Sequence, residues 1–125
     1  MTENELTNIV IREAILVHKQ LGPGLLENVY KECLYHRLVK VGLNVRKEVP
    51  IPVVFEEVRM ECGYRADLVV EGKLIIEIKR VEELADIHKA QVLTYLRLLN
   101  LKLGLLINFN TVLLKDGLRR IANGM

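Results

Sequence analysis

Cysteine is scarce in this chain. Its two thiols, Cys33 and Cys62, lie far apart and in no metal-type spacing. They argue against a disulfide framework and read as reduced thiols in an intracellular protein. A long hydrophobic run is also missing, and no stretch approaches the length of a membrane span. The first residues, Met1 to Glu5, are polar and lack secretory character, so a soluble, cytoplasmic protein is expected. Neither sign of charge is in large excess. A net charge of +2 and a pI of about 8.6 permit a nucleic-acid partner without arguing for one. No repeat, low-complexity tract or linker interrupts the sequence.

What remains is a globular composition: 125 residues, 50% hydrophobic and 27% charged. That supports one domain over residues 1–125 with one real core. Periodicity predicts a helix from about Asn4 to Leu21, with Leu6, Ile9, Val10, Ala14, Val17 and Leu21 on one face. Thr2 or Asn4 would cap it, with Glu3 and Glu5 favourable in the first turn. Gly22-Pro23-Gly24 stops it. A second helix is predicted from about Leu25 to Val41, with Leu26, Val29, Tyr30, Cys33, Leu34 and Leu38 as its apolar face. Glu27 falls in the first turn of that helix. The helix dipole explains most such carboxylates, but the apolar neighbours and tight turn also allow Glu27 to face inward toward a charged patch.

Residues 44–62 predict two strands joined at Glu56-Glu57. The first carries Pro50 and Pro52, which makes it an edge strand or a bulged one. Arg46, Lys47 and Glu48 would face solvent. A third helix is predicted from about Val81 to Asn100, with Leu84, Ile87, Val92, Leu96 and Leu99 packed on a sheet. On it His88, Gln91, Tyr95 and Leu98 form a second stripe, and Gln91 and Tyr95, one turn apart, can act on the same object. Leu103 to Phe109 is apolar throughout and reads as a central strand. Thr111–Leu114 and Leu118–Ala122 predict a short edge strand or a terminal helix.

The stretch from Arg65 to Arg80 is the least ordinary. It is an apolar, β-branched run interrupted by Asp67, Glu77 and Lys79. Glu77 and Lys79 point to one face of a strand, Ile76 and Ile78 to the other. A three-residue loop, Glu71-Gly72-Lys73, pairs Val70 with Leu74 and sets Asp67 opposite Glu77. A two-residue loop sets Asp67 opposite Ile76, on the wrong face. With the longer loop two carboxylates and an ammonium share one patch, and a hard divalent ion such as magnesium would relieve the repulsion. The plainer alternative is a surface salt bridge between Glu77 and Lys79, with Asp67 as a turn residue.

Asp67 followed by Glu77-Ile78-Lys79 resembles the D…(E)-x-K core of the PD-(D/E)XK nuclease superfamily. Gly24-Leu25-Leu26-Glu27-Asn28-Val29-Tyr30 is similar throughout to the signature of the GxxExxY family within it. Gln91-Val92-Leu93-Thr94-Tyr95 resembles the QxxxY element of its RecB-like branch. Arg65-Ala66-Asp67 and Leu106-Ile107-Asn108-Phe109-Asn110 also look like that family, although Ala66 stands where the superfamily name has proline. The resemblance implies an α/β, restriction-endonuclease-like core with a mixed central sheet flanked by helices, in the order α-α-β-β-β-β-α-β. A right-handed crossover through the third helix would make the Glu77 and Leu103 strands parallel.

The resemblance also implies metal-dependent hydrolysis of nucleic-acid phosphodiesters, with DNA the expected partner and Mg2+ (or Mn2+) the ion. Asp67 and Glu77 would hold the ion with the carbonyl of Ile78 and water, and Glu27 would add a carboxylate directly or through water. Lys79 would orient the attacking water or stabilise developing charge, and Gln91 and Tyr95 would position the phosphate or Lys79. The alternative is a catalytically silent nuclease-fold module that binds nucleic acid or a protein partner. A third reading makes the charged cluster a structural ion-pair network, a poor stabiliser beside apolar packing. A domain this small offers little surface for specificity, which favours a homodimer.

Overall fold

The computed structural model describes residues 1–125. Helix α1 spans Glu3–Leu21 and α2 spans Glu27–Lys40. Strands β1 (Val45–Pro50), β2 (Val53–Phe55), β3 (Val58–Met60), β4 (Arg65–Val70) and β5 (Leu74–Lys79) follow. Then come α3 (Asp86–Leu99), β6 (Leu103–Asn108), a 3-10 turn (Leu114–Gly117) and β7 (Leu118–Ala122). Five strands form one mixed sheet in the order β1-β4-β5-β6-β7, while β2 and β3 make a separate hairpin. The pair β5–β6 is parallel, with α3 as the crossover, and the other pairs are antiparallel. No helix is long and apolar enough to cross a membrane.

The sheet is covered on both faces. Leu6, Val10, Ala14 and Val17 of α1, with Tyr30, Leu34 and Leu38 of α2, cluster against Leu74, Ile76 and Ile78 of β5. Val92 and Leu96 of α3 cluster with Ile75 and Leu106 on the other face. This explains why β5 and β6 are apolar on both sides: a strand between two helical layers has no wet face. Helix α1 starts with a reciprocal cap, in which Glu5 N–H donates to Thr2 Oγ1 and Thr2 N–H donates to Glu5 Oε1. Buried Glu13 ties α1 to α2 by accepting from Arg37 at 2.8–2.9 Å.

Several elements depart from expectation. Leu26 is 66% exposed and Val29 is also exposed, so the buried face of α2 is the i, i+4, i+8 row Tyr30, Leu34 and Leu38. Helix α3 begins at Asp86, five residues later than predicted. Asn108 pins the chain ahead of it, its Oδ1 accepting from Val81 N–H and its Nδ2 donating to Val81 C=O, and the helix starts where Ala85 N–H is capped by His88 Nδ1. Ile87 then lands on the outer side of α3, 71% exposed, instead of packing on the sheet. The expected first strand of residues 44–62 is two strands. The chain leaves the sheet at Pro50, where Ile51 N–H donates to Tyr64 C=O, and Pro52 has no donor with which to resume the ladder. With that split, and with β7 as an edge strand rather than a terminal helix, the chain has seven strands instead of five.

Two close contacts hold the layers in place. A Cβ on Gly117 would stand 2.1 Å from Asn108 C=O, so only glycine lets the 3-10 turn lie against the end of β6. Tyr30 Oη donates to Gly22 C=O at 2.6 Å and accepts from Leu25 N–H at 3.0 Å. One buried phenol thus closes the Gly22–Leu25 turn ahead of α2, and its ring stacks on Phe109 at 4.4 Å.

Gly117→Ala is expected to lower stability by about 1–3 kcal/mol, as overpacking does. A thermal midpoint equal to wild type would show that the turn yields without strain. Tyr30→Phe keeps the stack and loses both hydrogen bonds, at a cost of about 1 kcal/mol or more. Faster amide exchange confined to residues 22–25 and the start of α2 is the signature to look for.

Candidate active site

The β4–β5 hairpin has the register of the three-residue loop. Val70 pairs with Leu74, Val69 with Ile75 and Leu68 with Ile76. Lys73 N–H closes the turn on Val70 C=O at 2.9 Å, with Glu71 and Gly72 both at positive φ. The next pair along the ladder is Asp67 and Glu77, and there the side chains replace the backbone rungs. Asp67 N–H donates to Glu77 Oε2 at 2.7 Å, and Ile78 N–H donates to Asp67 Oδ2 at 2.8 Å. Each carboxylate grips the strand of the other, and the two strands fork.

Burial makes this pair electrostatically tense. Glu77 is only 4% exposed. Burial first, and the charge of Asp67 second, push its carboxyl up to about 8. Burial also raises Asp67, against the pull of the Ile78 N–H and the nearby Lys31 charge. Glu77 makes no salt bridge with Lys79; the ion pairs of the chain lie elsewhere. Lys79 Nζ instead reaches Gln91 Oε1 at 3.4 Å.

The fork opens on two sides. Toward α2, Glu27, Asn28, Lys31 and Asp67 line a cleft of about 210 Å³. Toward α3, Lys79, Gln91 and Tyr95 line a groove of about 560 Å³. Tyr95 is nearly buried in that groove, and its hydroxyl is raised by burial and then by the Glu77 charge. The six side chains singled out in the sequence therefore surround one fork, but they do not share one pocket. Glu77 lies between two openings.

Two further residues belong to this neighbourhood. Lys31 lies one turn after Glu27 on α2 and pairs with Glu48 of β1. The i, i+4 spacing of Glu27 and Lys31 is the sequence signal that could have identified Lys31. Glu48 carries no such signal. It was expected in solvent, yet it is half-buried opposite Asp67, with φ of 52°. The strands change face at that point. Val45 packs with the α1–α2 layer and Val49 with the α3 layer, although residues four apart in a regular strand share a face. Ala66 and Leu68 of β4 split in the same way.

The donor set suits one class of cation. No three His, Cys, Asp or Glu side chains gather as a metal cage, and Glu27 stands exposed in the cleft that it shares with Asp67. A structural zinc site needs four ligands, commonly nitrogen or sulfur. Magnesium binds through one or two carboxylates and keeps several waters. Asp67 and Glu77 supply hard oxygens whose mutual repulsion a cation would cancel, and the cleft beside Asp67 has room for waters.

Comparison with known proteins bears on this site. No curated protein and no solved structure matches the chain. A family model, the PD-(D/E)XK nuclease superfamily, matches residues 4–121, from the start of α1 into β7. Nucleases of that superfamily generally use divalent metal ions, and membership implies nucleic-acid binding. With its mixed sheet, its two helical layers and a match over nearly its full length, the chain belongs to the PD-(D/E)XK nuclease superfamily.

Proposed function

We propose that this chain is a magnesium-dependent nuclease, with DNA as substrate, of the GxxExxY family in the RecB-like branch. The observation that carries the reading is the fork itself: two carboxylates kept close, one of them almost fully buried, by hydrogen bonds to each other's strands. Apolar packing would stabilise this place better, so a ligand is the natural reason for it. Asp67 and Glu77 would hold the ion, with the Ile78 carbonyl and, through water, Glu27. When bound, a divalent ion polarises a phosphoryl oxygen and favours ionisation of water.

The chain's own groups do the rest. Lys79 offers a positive charge at the mouth of the groove, where it orients water or offsets charge building on the phosphate. Gln91 holds Lys79 in place through its carbonyl oxygen. Tyr95 presents a neutral hydroxyl donor to the phosphate beside the carboxylates. Lys31, held by Glu48, keeps a second cation beside Asp67 and limits repulsion before any ion arrives.

Purified protein is expected to cut DNA with magnesium or manganese and to stop when the ion is chelated. Lys79→Ala and Asp67→Asn should each lower the rate about 100-fold or more. DNA that is bound but left uncut under every divalent ion would make the fold a binding module instead.

Proton linkage gives an independent check. Glu77 titrates near 4.5 when unfolded and near 8 when folded. Between those values the folded protein binds the extra proton, so the stability of the metal-free protein falls as pH rises through the interval and levels off above it. Binding of an ion to the ionised pair releases that proton, so magnesium should raise the thermal midpoint more at about pH 9 than at about pH 5. An equal shift at both would place the ion elsewhere.

A further inference from the structure

The groove on the α3 side is larger than Lys79, Gln91 and Tyr95 require. At about 560 Å³ it is the most spacious cavity of the chain, and it falls within the roughly 300–1,000 Å³ range of small-molecule sites. Tyr64, in the segment leading into β4, forms its outer wall. Carboxylates are absent from the lining, and Lys79 is its charged side chain. The cleft across the fork, with Glu27 and Asp67, has the opposite character.

Three features of the lining point to one kind of occupant. Tyr64 is 49% exposed, yet it is not loose: its carbonyl accepts from Ile51 N–H at 2.8 Å, and its ring tilts against Tyr95 at 6.3 Å between centroids. Tyr95 thus covers part of the Tyr64 ring, and the rest stays open as a flat apolar surface. His88 accepts from Ala85 N–H through Nδ1 at 2.9 Å, so a neutral ring carries its proton on Nε2 and donates from there. Gln91 gives its oxygen to Lys79, which leaves its amide nitrogen as a donor. An open aromatic ring beside N–H donors and one ammonium, with no carboxylate, matches a base with its phosphate.

We propose that this groove seats an unpaired nucleobase stacked on Tyr64 with the adjoining phosphate held by His88, Gln91 and Lys79, which makes single-stranded nucleic acid the preferred ligand. A base inside a duplex is stacked on its neighbours and cannot offer its face to Tyr64. The inference deepens the nuclease reading and rests on it for the placing of Lys79, but its test needs no cleavage.

The test uses full-length protein without divalent ion and a fluorescently labelled oligothymidylate of about 15 nucleotides. Anisotropy should show tighter binding of the single strand than of a duplex of equal length. Tyr64→Ala should weaken single-strand binding about tenfold and leave duplex binding unchanged, while Tyr64→Phe keeps the affinity within about twofold. The chain has four tyrosines and no tryptophan, so its tyrosine emission can be read directly. The oligothymidylate should quench it in wild type, and Tyr64→Phe should lose most of that quench while still binding. Equal single-strand affinity of wild type and Tyr64→Ala, or a preference of wild type for duplex, overturns the proposal. Absence of cleavage with magnesium, alongside intact Tyr64-dependent binding, would remove the nuclease reading and leave this site standing.

Discussion

The whole arrangement depends on two acidic side chains forced to be neighbours. Asp67 and Glu77 sit where β4 and β5 part, and each accepts a hydrogen bond from the backbone of the other's strand. Those bonds stand in for two rungs of the ladder, so the hairpin can open without leaving its N–H groups unpaired. The opening lies near the carboxyl end of β5, where an antiparallel neighbour on one side gives way to a parallel neighbour on the other. Such switch points in α/β sheets are where ligands find room. The charge repulsion stored there is what a cation would relieve.

The rest of the scaffold brings side chains to the two sides of that opening. On one side Tyr30 closes the turn before α2, which sets Glu27 and Lys31 over Asp67. On the other, Asn108 holds Val81 ahead of α3, and α3 sets Gln91 and Tyr95 beside Lys79. Gly104 lets α3 come down onto β6, since a Cβ there would meet Val92 at 2.6 Å. Buried polar side chains thus fix loops, and apolar side chains fix layers. No buried side-chain polar atom is left without a partner.

Much of this was legible from the residues alone. The residues offered two registers for the β4–β5 hairpin, and the structure takes the one with the three-residue loop Glu71-Gly72-Lys73, which sets Asp67 opposite Glu77. The stripe of His88, Gln91, Tyr95 and Leu98 could be read from spacing, and the same four residues line one groove. The start of α3 was not legible, because the side chain that holds Val81 ahead of it lies 27 residues away in β6. Glu48 was misjudged for a related reason. Alternation along β1 says that it faces out, but the strand reverses its face there, and a positive φ in one residue leaves no pattern in its neighbours.

The sequence by itself determined the helices, the apolar central strands and the superfamily, since periodicity acts over a few residues and the superfamily's motifs stand in the chain as written. Tertiary structure alone decided that Glu77 is buried and Glu27 exposed, that Lys31 and Glu48 flank Asp67, and that the site has two mouths with a tyrosine over one of them. Those facts depend on which segments meet across the sheet. Burial and charge are properties of a place in space, and no span of chain carries them on its own.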